Sequence, residues 1–289
     1  MTSVPQRRAP RRRRATSSRR GGPLVYLVLV LLALYAIGPI LVLLFSSLKN
    51  PAEISTNPMG PPSEAMWDNF LTAWQNANMA AGLSNSLVIV LATAVGVCLI
   101  SGAAAYAMVR LDIPAPGALT MYLLVVTALP IQLFLVPLVN WWTRLGLYDT
   151  QIGLILIYWA IYSPFSTLLL RSYLIAIPPD YEAAARMDGA GEATVFFRIV
   201  LPLIWPGVIT AGLVAALQAY NEFLLAVTFI QDNEALPVSI SLYSFQQGFT
   251  VNYALVSAAG IIMILPVLLL FLVLQRRFVE GYASTGMAN

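Results

Sequence analysis

The sequence predicts an all-α integral membrane protein with six transmembrane helices. Of its 289 residues, 59% are hydrophobic and only 10% are charged, and the mean hydropathy is +0.77. Soluble domains carry about 25% charged residues, so this composition is typical of a chain that lies largely in lipid. Six windows contain no Asp, Glu, Lys or Arg. Each can hold one helix across the bilayer, because about 20 apolar residues cross a hydrocarbon core of about 30 Å.

The expected helices follow these windows in order. The windows cover residues 21–48, 69–109, 113–143, 150–170, 199–221 and 235–275. Two of them are long enough to raise the question of a second span. However, residues 69–82 are rich in Asn and Gln, and residues 235–250 are short and polar, so neither adds one. The predicted spans are 24–47, 84–109, 118–139, 152–173, 205–230 and 254–275.

The distribution of basic residues predicts which side of the membrane each loop faces. The tail before the first span holds eight of the sixteen basic residues. Cytoplasmic loops are enriched in Lys and Arg, so this tail, and with six spans also the carboxyl terminus, is expected inside. That topology leaves Lys49 and Arg144 outside and adds these residues to the cytoplasmic side: Arg110, Arg171, Arg186, Arg198, Arg276 and Arg277. The tail is interpreted as a disordered topogenic segment near lipid headgroups, and no nucleic-acid partner is expected.

The residue inventory argues against catalysis in this chain. It has one cysteine, Cys98, and no histidine. A disulfide framework is therefore excluded, and a zinc site or a Ser-His-Asp site could hardly be built. Cys98 lies in an apolar run and is interpreted as a packing residue. No G-x-x-x-x-G-K-[ST] phosphate loop occurs, so no ATP site is expected here.

The segment 174–204, between the fourth and fifth predicted spans, contains helix signals of its own. Pro178 and Pro179 end the preceding helix, because neither offers an amide hydrogen and each restricts the residue before it. Asp180 and Glu182 then fall in the first turn of a new short helix, beside the positive end of its dipole.

A glycine corner is expected after this short helix. Gly189 can adopt a positive φ and stop the helix. A second helix is predicted from Glu192 to Pro202, and Pro206 opens the fifth span. These residues alone are equally compatible with a rigid knob that enters a partner's groove and with a solvated interfacial loop.

The order of residues in this loop resembles the EAA loop of the membrane subunits of bacterial ATP-binding-cassette importers. The pattern is Glu-Ala-Ala, then Asp-Gly-Ala, then Ile and Leu-Pro at fixed spacing. The EAA loop is expected at residues 178–206, with these candidate coupling residues: Glu182, Ala183, Ala184, Arg186, Asp188, Gly189, Ala190, Ile199, Leu201 and Pro202. Further stretches are similar to the maltose-type carbohydrate permeases: 46–54, 85–95, 104–111, 144–156, 220–230 and 265–281.

The resemblance implies a type I importer transmembrane fold and a division of labour among subunits. A second permease subunit would form a heterodimer with this chain, and an extracytoplasmic binding protein would deliver the sugar. The EAA loop would dock in a cleft of one of two cytoplasmic ATPase subunits. ATP and Mg would bind on those subunits, so this chain is expected to be no enzyme and to hold no cofactor or metal. The implied location is the bacterial plasma membrane, where the chain is multi-pass.

The residue patterns and the resemblance together suggest four sections along the chain. They are a disordered Arg-rich cytoplasmic tail (1–22), the first transmembrane helix with an extracytoplasmic loop (23–82), the permease core (83–277) and a cytoplasmic tail (278–289). The carboxyl tail and Tyr220 depart from the usual family pattern, as does the turn after the second span. The sequence does not name the sugar.

Two sets of polar and helix-breaking residues are candidates for the translocation path. Gln218, Asn221 and Glu222 are expected on one face of the fifth helix, at i, i+3 and i+4. A carboxylate that faces lipid costs at least about 2.5 kcal/mol. This face therefore points either to a water-filled path or to an inter-helix hydrogen bond, and the sequence leaves both open.

Prolines in the third and fourth spans supply the second set. Pro130 and Gln132, with Pro137 close by, are predicted to break the third helix and free backbone carbonyls beside a cavity. The stretch Ser163-Pro164-Ser166 is expected to repeat that break in the fourth helix.

A secondary, ion-coupled transporter is the alternative from another class. Such a protein typically has inverted repeats and intramembrane ion-coupling groups. The sequence has no evident internal repeat, and Glu222 is the one convincing intramembrane acid, so an importer subunit is favoured.

Overall fold

The computed structural model describes the backbone of residues 22–246 and 251–285. The side chains of residues 244, 246 and 273–285 are outside the described part, as are the Arg-rich tail through residue 21 and the last four residues. The described chain is all-α, with no strand in those ranges. Its α-helices are α1 Pro23–Ser47, α2 Pro51–Thr56, α3 Asp68–Asn76, α4 Met79–Arg110, α5 Pro116–Ala128, α6 Leu135–Leu145, α7 Gln151–Ile175, α8 Asp180–Met187, α9 Glu192–Val195, α10 Leu201–Leu203, α11 Trp205–Asn221, α12 Leu224–Phe229, α13 Val238–Ser241 and α14 Tyr253–Thr285.

Four of these helices are long and apolar enough to cross a membrane: α1, α4, α7 and α14. Two bent pairs of helical segments reach the same length and composition when each pair is taken together. One pair combines α5 with residues 131–145, bent by 88°, and the other combines residues 192–203 with α11, bent by 81°. The described chain therefore has up to six spans, in agreement with the predicted count.

The third span is broken at the predicted proline. Leu129 ends α5 with an extended backbone, and a single 3-10 turn, Ile131–Phe134, precedes α6. Pro130 lacks an amide hydrogen and disfavours helical geometry in the residue before it, which agrees with the extended backbone of Leu129 at the break. Pro137 lies in the first turn of α6 and causes no second break, since a proline is tolerated there.

The fourth span contradicts the prediction of a break at Pro164, because α7 continues through it. Neighbouring hydroxyl groups bind the backbone at this point. The carbonyl of Ser163 accepts hydrogen bonds from Ser101 Oγ (3.1 Å) and Thr167 Oγ1 (2.8 Å). These bonds do not replace the one that Pro164 removes, which would go to the carbonyl of Ala160. Pro164 is buried, and packing against neighbouring helices is one reason that membrane helices tolerate a proline.

The fifth span is also not the single helix that was predicted over 205–230. Helix α11 ends at Asn221, Glu222 has an extended backbone (φ −70°, ψ 127°), and α12 begins at Leu224. The assumption that Glu222 continues the helical face of Gln218 and Asn221 is therefore wrong. The cause is the Glu222 side chain, whose oxygens accept the amide hydrogens of Leu225 (2.9 Å) and Ala226 (3.0 Å) and so start a new helix.

The chain divides into two compact units, residues 1–42 and 43–289. In the described part of the first unit, the chain is the apolar beginning of α1, and its large side chains are mostly exposed.

The second unit has its core between α4, α7 and α11. At Gly96 of α4 an added Cβ would overlap the indole of Trp159, whose Nε1 donates to the carbonyl of Ala92 (2.9 Å). A glycine is needed there because α7 approaches the backbone of α4 so closely.

Parallel courses of α4 and α7 give the second unit two distinct ends. Both helices finish beside the segment 178–206, as the contacts of Arg110 with Leu174, Ile177 and Glu182 show. We call this the EAA end. The starts of α4 and α7 lie near residues 229–241, since Asn85 and Gln151 donate to carbonyls in that segment. We call this the opposite end.

Candidate functional site: the EAA loop and the helix breaks

The EAA loop forms two short helices joined by a glycine corner. Helix α8 begins directly after Pro179, and its amino-terminal turn contains Asp180 and Glu182. Gly189 follows with φ +86°, a conformation that costs residues with a Cβ about 1–2 kcal/mol. The second helical segment runs from Glu192 through a π turn and α10, and the chain then bends into α11. The predicted helix, corner and second helix all occur at the predicted positions.

Glu182 points into this chain rather than away from it. It is fully buried, and its Oε1 lies 2.6 Å from Nε of Arg110, the last residue of α4. Nη2 of the same guanidinium donates to the carbonyls of Leu174 (3.1 Å) and Ile177 (2.8 Å). The pair therefore joins the short helix α8 to the ends of α4 and α7.

A second set of contacts ties α4 to the next part of the loop. Tyr106 Oη donates to Glu192 Oε2 (2.5 Å). Arg186 donates to both carboxylate oxygens of Glu192, at 2.7 and 3.2 Å, and to Tyr106 Oη at 3.0 Å. These bonds from Arg186 and Tyr106 lower the pKa of the Glu192 carboxyl to about 2. Arg186 also lies 3.7 Å from Glu182, so the two carboxylates share this cation.

Apolar packing under the loop fixes its second half. Val195, Phe196 and Val200 are buried against α4 and α7 at the EAA end, in a cluster that includes Leu170 and Leu174. The Phe196 ring packs on Tyr106 with a centroid distance of 5.3 Å. Burial of such side chains stabilises each by about 1.5–3 kcal/mol. The loop is therefore seated on the helices by its own side chains and is not a free connector.

The outward surface of the loop is small and accessible. Ala183, Ala184, Asp188 and Gly189 are exposed. An added Cβ at Gly189 would have nothing within 4 Å in this chain. Tyr181 and Met187 are also exposed on α8. The remaining candidates lie further along: Ala190, Ile199 and Leu201 are partly buried, and Pro202 is exposed.

The proposed path residues lie at the two helix breaks. Pro130 and Gln132 are exposed at the third-span break, and Gln218 and Asn221 are exposed at the end of α11. Glu222 is half-buried. Besides the two amides of α12, its carboxylate accepts a hydrogen bond from Tyr158 Oη of α7 (3.0 Å), so the inter-helix hydrogen bond left open by the sequence is present.

Both breaks pack against one apolar cluster. Tyr158 and Leu225 belong to its buried centre, and Ile131 of the third-span break packs on it. The Tyr158 and Tyr162 rings lie 5.5 Å apart in the same cluster. The structure therefore brings the two sets of path candidates to the same core, although they are separated by about ninety residues in the chain.

One cavity of the second unit, of about 280 Å³, has polar side chains such as Asn76, Asn78 and Asn233 in its lining. A cavity of about 710 Å³ lies between α4, α11 and α14, but its lining is apolar, with residues such as Leu91, Leu213 and Val267. Among the described residues no group of His, Cys, Asp or Glu is placed to hold a metal ion. Cys98 packs against Gly212.

Arg110 and Tyr106 are the functional candidates that the sequence reasoning missed. Both lie in the stretch 104–111 that carried part of the family resemblance, but neither was connected with the loop. The available signal was a basic residue at the last position of an apolar span, together with a glutamate in the loop, Glu182, that had no assigned partner. Its partner could not be assigned because 72 residues separate Arg110 from Glu182.

Comparisons with known proteins agree with this architecture. A family model described as "Binding-protein-dependent transport system inner membrane component" matches residues 96–283. The chain is 32% identical to the diacetylchitobiose uptake system permease protein NgcG of Streptomyces coelicolor, over 94% of this chain and 90% of that protein. It is 35% identical to the sulfoquinovosyl glycerol transport system permease protein SmoH of Agrobacterium fabrum, over 92% and 94% of the two chains.

A solved structure supports the fold independently. A chain of a bacterial ABC transporter involved in the import of the acidic polysaccharide alginate superposes with a TM-score of 0.76 and 20% identity, covering 91% of this chain and 98% of that chain. The predicted importer fold is thereby confirmed. Since the family model covers more than half of the sequence, this multi-pass chain belongs to the binding-protein-dependent transport system inner membrane components.

Proposed function

We propose that this permease imports a carbohydrate, and that it couples to ATPase subunits through the EAA loop. Several curated relatives are named for carbohydrate transport: NgcG, SmoH and the trehalose transport permease SugB of Mycobacterium tuberculosis. The related alginate transporter is described in complex with an oligosaccharide-bound periplasmic protein. We therefore infer an extracytoplasmic binding protein, a second permease subunit and two ATPase subunits, which hold ATP and Mg, as the partners of this chain.

The division of α8 into a buried side and an accessible side carries the coupling proposal. Glu182 is turned inward, so its charge is used within the chain, while Ala183, Ala184 and Met187 face outward. Small side chains let a partner surface approach the helix backbone closely. A solvated connector would need neither the buried ion pair nor the corner at Gly189. In this topology both termini and the EAA loop are cytoplasmic, as the arginine distribution predicts.

We also propose that the two helix breaks line the sugar path. Gln132, Gln218 and Asn221 present exposed amides, which can exchange hydrogen bonds with sugar hydroxyls. Pro130 and Glu222 hold the breaks in place, the first by interrupting α5 and the second by starting α12. Non-helical backbone at membrane depth is tolerated where it lines a cavity or is covered by protein.

Gly189→Leu tests the coupling proposal. The substitution imposes strain at φ +86° and adds a bulky group on the face that a partner would cover, while nothing in this chain obstructs it. We expect the variant to reach the membrane but to lose the ATPase subunits on co-purification, with sugar-stimulated ATP hydrolysis and transport falling together. The measurement is co-purification of the tagged permease, with ATP hydrolysis in vesicles supplied with loaded binding protein.

Gly117→Leu is the matched control. Gly117 lies in the first turn of α5, at the EAA end, and also has open space around its Cβ position, but its φ is not positive. We expect it to behave like the unmodified protein. Normal co-purification and normal stimulation in Gly189→Leu would contradict the coupling role.

A further inference from the structure

Arg110 connects three segments that are far apart in the sequence. Its Nε binds Glu182 in α8 at 2.6 Å, and its Nη2 binds the carbonyls of Leu174 and Ile177 at the end of α7. Those carbonyls belong to the last turn of α7 and to the residues just after it. Carbonyls at a helix carboxyl end lack partners within the helix and favour a cation. Arg110 itself ends α4.

Because this contact between Arg110 and Glu182 is buried, it differs from an ordinary surface ion pair. We call it the joint between α8 and the ends of α4 and α7. The side chains of Arg110 and Glu182 are 10% and 1% exposed. Exposed pairs contribute little because water and salt screen them, whereas the removal of one member of a buried pair is strongly unfavourable. The fork of the guanidinium also fixes direction, since a planar group must meet its acceptors in its own plane. The three helix ends are therefore held in one arrangement.

We propose that Arg110 is a positioning residue that transmits movement of the coupling helix α8 to α4 and α7. This inference rests on the proposed coupling function of the EAA loop. An ATPase that moves α8 displaces Glu182, and the ion pair then carries the ends of α4 and α7 with it. Tyr106, one turn earlier on α4, adds a second attachment through Glu192 and Arg186. Helix α4 is thereby tied to the loop on both sides of the Gly189 corner.

The proposal separates docking from transmission. Docking uses the outward face of α8, which Arg110 does not touch, and transmission uses the inward joint. Loss of the joint should leave the ATPases bound while their hydrolysis no longer responds to the loaded binding protein. In Arg110→Gln, Glu182 keeps Arg186 as a neighbouring cation at 3.7 Å, so the carboxylate is not left without any positive charge and the chain should still fold.

The experiment uses the complete transporter, with both permeases, the ATPases and the binding protein, in lipid vesicles. The variants are Arg110→Gln, Glu182→Gln, the double variant and Arg110→Lys. We expect Arg110→Gln to retain membrane amount and co-purified ATPase and to reduce sugar-stimulated hydrolysis about tenfold, within the usual range of coupling between two sites. Arg110→Lys keeps the charge but loses the fork, so an intermediate reduction is expected. Arg144→Gln is the matched control, because Arg144 also lies in the last turn of a helix but is exposed.

The double variant distinguishes a shared joint from two separate roles. If Arg110 and Glu182 act through each other, the double variant should be no worse than Arg110→Gln alone, because interacting residues are not additive. Full stimulation in Arg110→Gln would overturn the proposal. So would additive losses in the double variant, or a fall in membrane amount that accounts for the whole effect.

Failure of the proposal for Arg110 can be distinguished from failure of the proposed function itself. Release of the ATPases by Gly189→Leu, with normal stimulation in Arg110→Gln, would refute only the role of Arg110. Retention of normally stimulated ATPases by Gly189→Leu would refute the coupling function of the loop.

Discussion

Charged side chains at the two ends of the second unit make different kinds of contact. At the EAA end they form ion pairs with one another: Arg110 pairs with Glu182, and Arg186 pairs with Glu192. Arg110 also donates to the backbone carbonyls of Leu174 and Ile177. In the opposite half three charged side chains bind mainly backbone groups and form no ion pair with one another. Lys49 Nζ donates to the carbonyls of Asn57 and Gly60, both at 2.6 Å. Glu222 and Asp149 accept backbone amide hydrogens, from the start of α12 and from Gln231 and Asp232 respectively.

The difference indicates which end can transmit movement between helices. The ion pairs of the EAA end link side chains of separate helices, so a displacement of α8 is passed through them to α4 and α7. A side chain whose hydrogen bonds go mainly to backbone groups fixes the course of the chain where it binds. We therefore expect disruption at the EAA end to affect coupling more than stability, and disruption at the opposite end to affect stability first.

Lys49→Met should produce the largest loss of stability. Lys49 is fully buried, and methionine keeps much of its shape but offers no hydrogen to the carbonyls of Asn57 and Gly60. Hydrogen bonds to charged groups contribute about 1.5–3 kcal/mol each, so we expect a loss of about 2–4 kcal/mol. A lower unfolding temperature of the purified transporter, with faster amide hydrogen exchange over residues 50–66, would show it.

Arg144→Met is the control for loss of a cation at the same end, because the Arg144 side chain is exposed. It should leave the unfolding temperature nearly unchanged. Equal effects of the two substitutions would mean that Lys49 matters only through its charge, and the contrast between the two ends would then fail.

The EAA end could be predicted in outline because its determinants are local. Pro179 and Gly189 set the limits of α8 through backbone geometry that depends on single residues. Pro130 set the third-span break in the same way. The partner of Glu182 could not be predicted, since its pairing with Arg110 depends on how α4 and α7 end side by side. Sequence spacing carries no information about that tertiary arrangement.

The break in the fifth span was missed because it has no proline or glycine. It depends on a carboxylate that accepts the amides of Leu225 and Ala226 and the hydroxyl of Tyr158. A glutamate at the start of a helix is compatible with capping, but Ser, Thr, Asp and Asn are the usual signals, and the surrounding apolar run favoured one continuous helix. Pro164 gave the converse error, because it is buried inside α7 and this packing depends on tertiary contacts that the sequence does not show.

Glu222→Leu should have an intermediate effect on stability and a large effect on transport. The substitution removes the acceptor for two amides of α12 and leaves the hydroxyl of buried Tyr158 without its carboxylate partner. Loss of a capping group typically costs about 1 kcal/mol. We expect the complex to remain assembled, with a slightly lower unfolding temperature, while sugar uptake falls because the fifth-span break is displaced.

Two further variants serve as controls for this prediction. Glu222→Gln keeps an acceptor oxygen and should recover part of the uptake. Glu234→Leu replaces an exposed carboxylate in the same half and should have no comparable effect. Dissociation of the complex in Glu222→Leu would show that this residue holds the bundle together and does not shape the path.

Asp149→Asn should give the smallest effect, and its pH dependence follows from the contacts of the Asp149 carboxylate. The residue has φ +60°, and its Oδ1 accepts amide hydrogens from Gln231 (2.7 Å) and Asp232 (2.9 Å). These backbone hydrogen bonds lower the pKa of the Asp149 carboxyl. Asparagine retains an acceptor oxygen and tolerates the left-handed conformation. Asp149→Asn should therefore cost less than about 1 kcal/mol, and Asp149→Ala about 1–2 kcal/mol, since alanine loses both bonds and strains the backbone.

The sign of the pH dependence follows from the lowered pKa. A carboxyl whose folded pKa is below its unfolded value, about 3.9 for aspartate, contributes stability that is fully present above the unfolded value. That contribution is lost as the pH falls through the folded pKa. The difference in unfolding temperature between the unmodified chain and Asp149→Asn should thus be the same at pH 8 and pH 5 and shrink only in stronger acid.

Glu64→Gln, at an exposed carboxylate of the same end, serves as the control. A difference that already changed between pH 8 and pH 5 would mean that the Asp149 carboxylate is not held by these backbone amides, and the opposite end would then lack one of the fixed anchors that distinguish it from the EAA end.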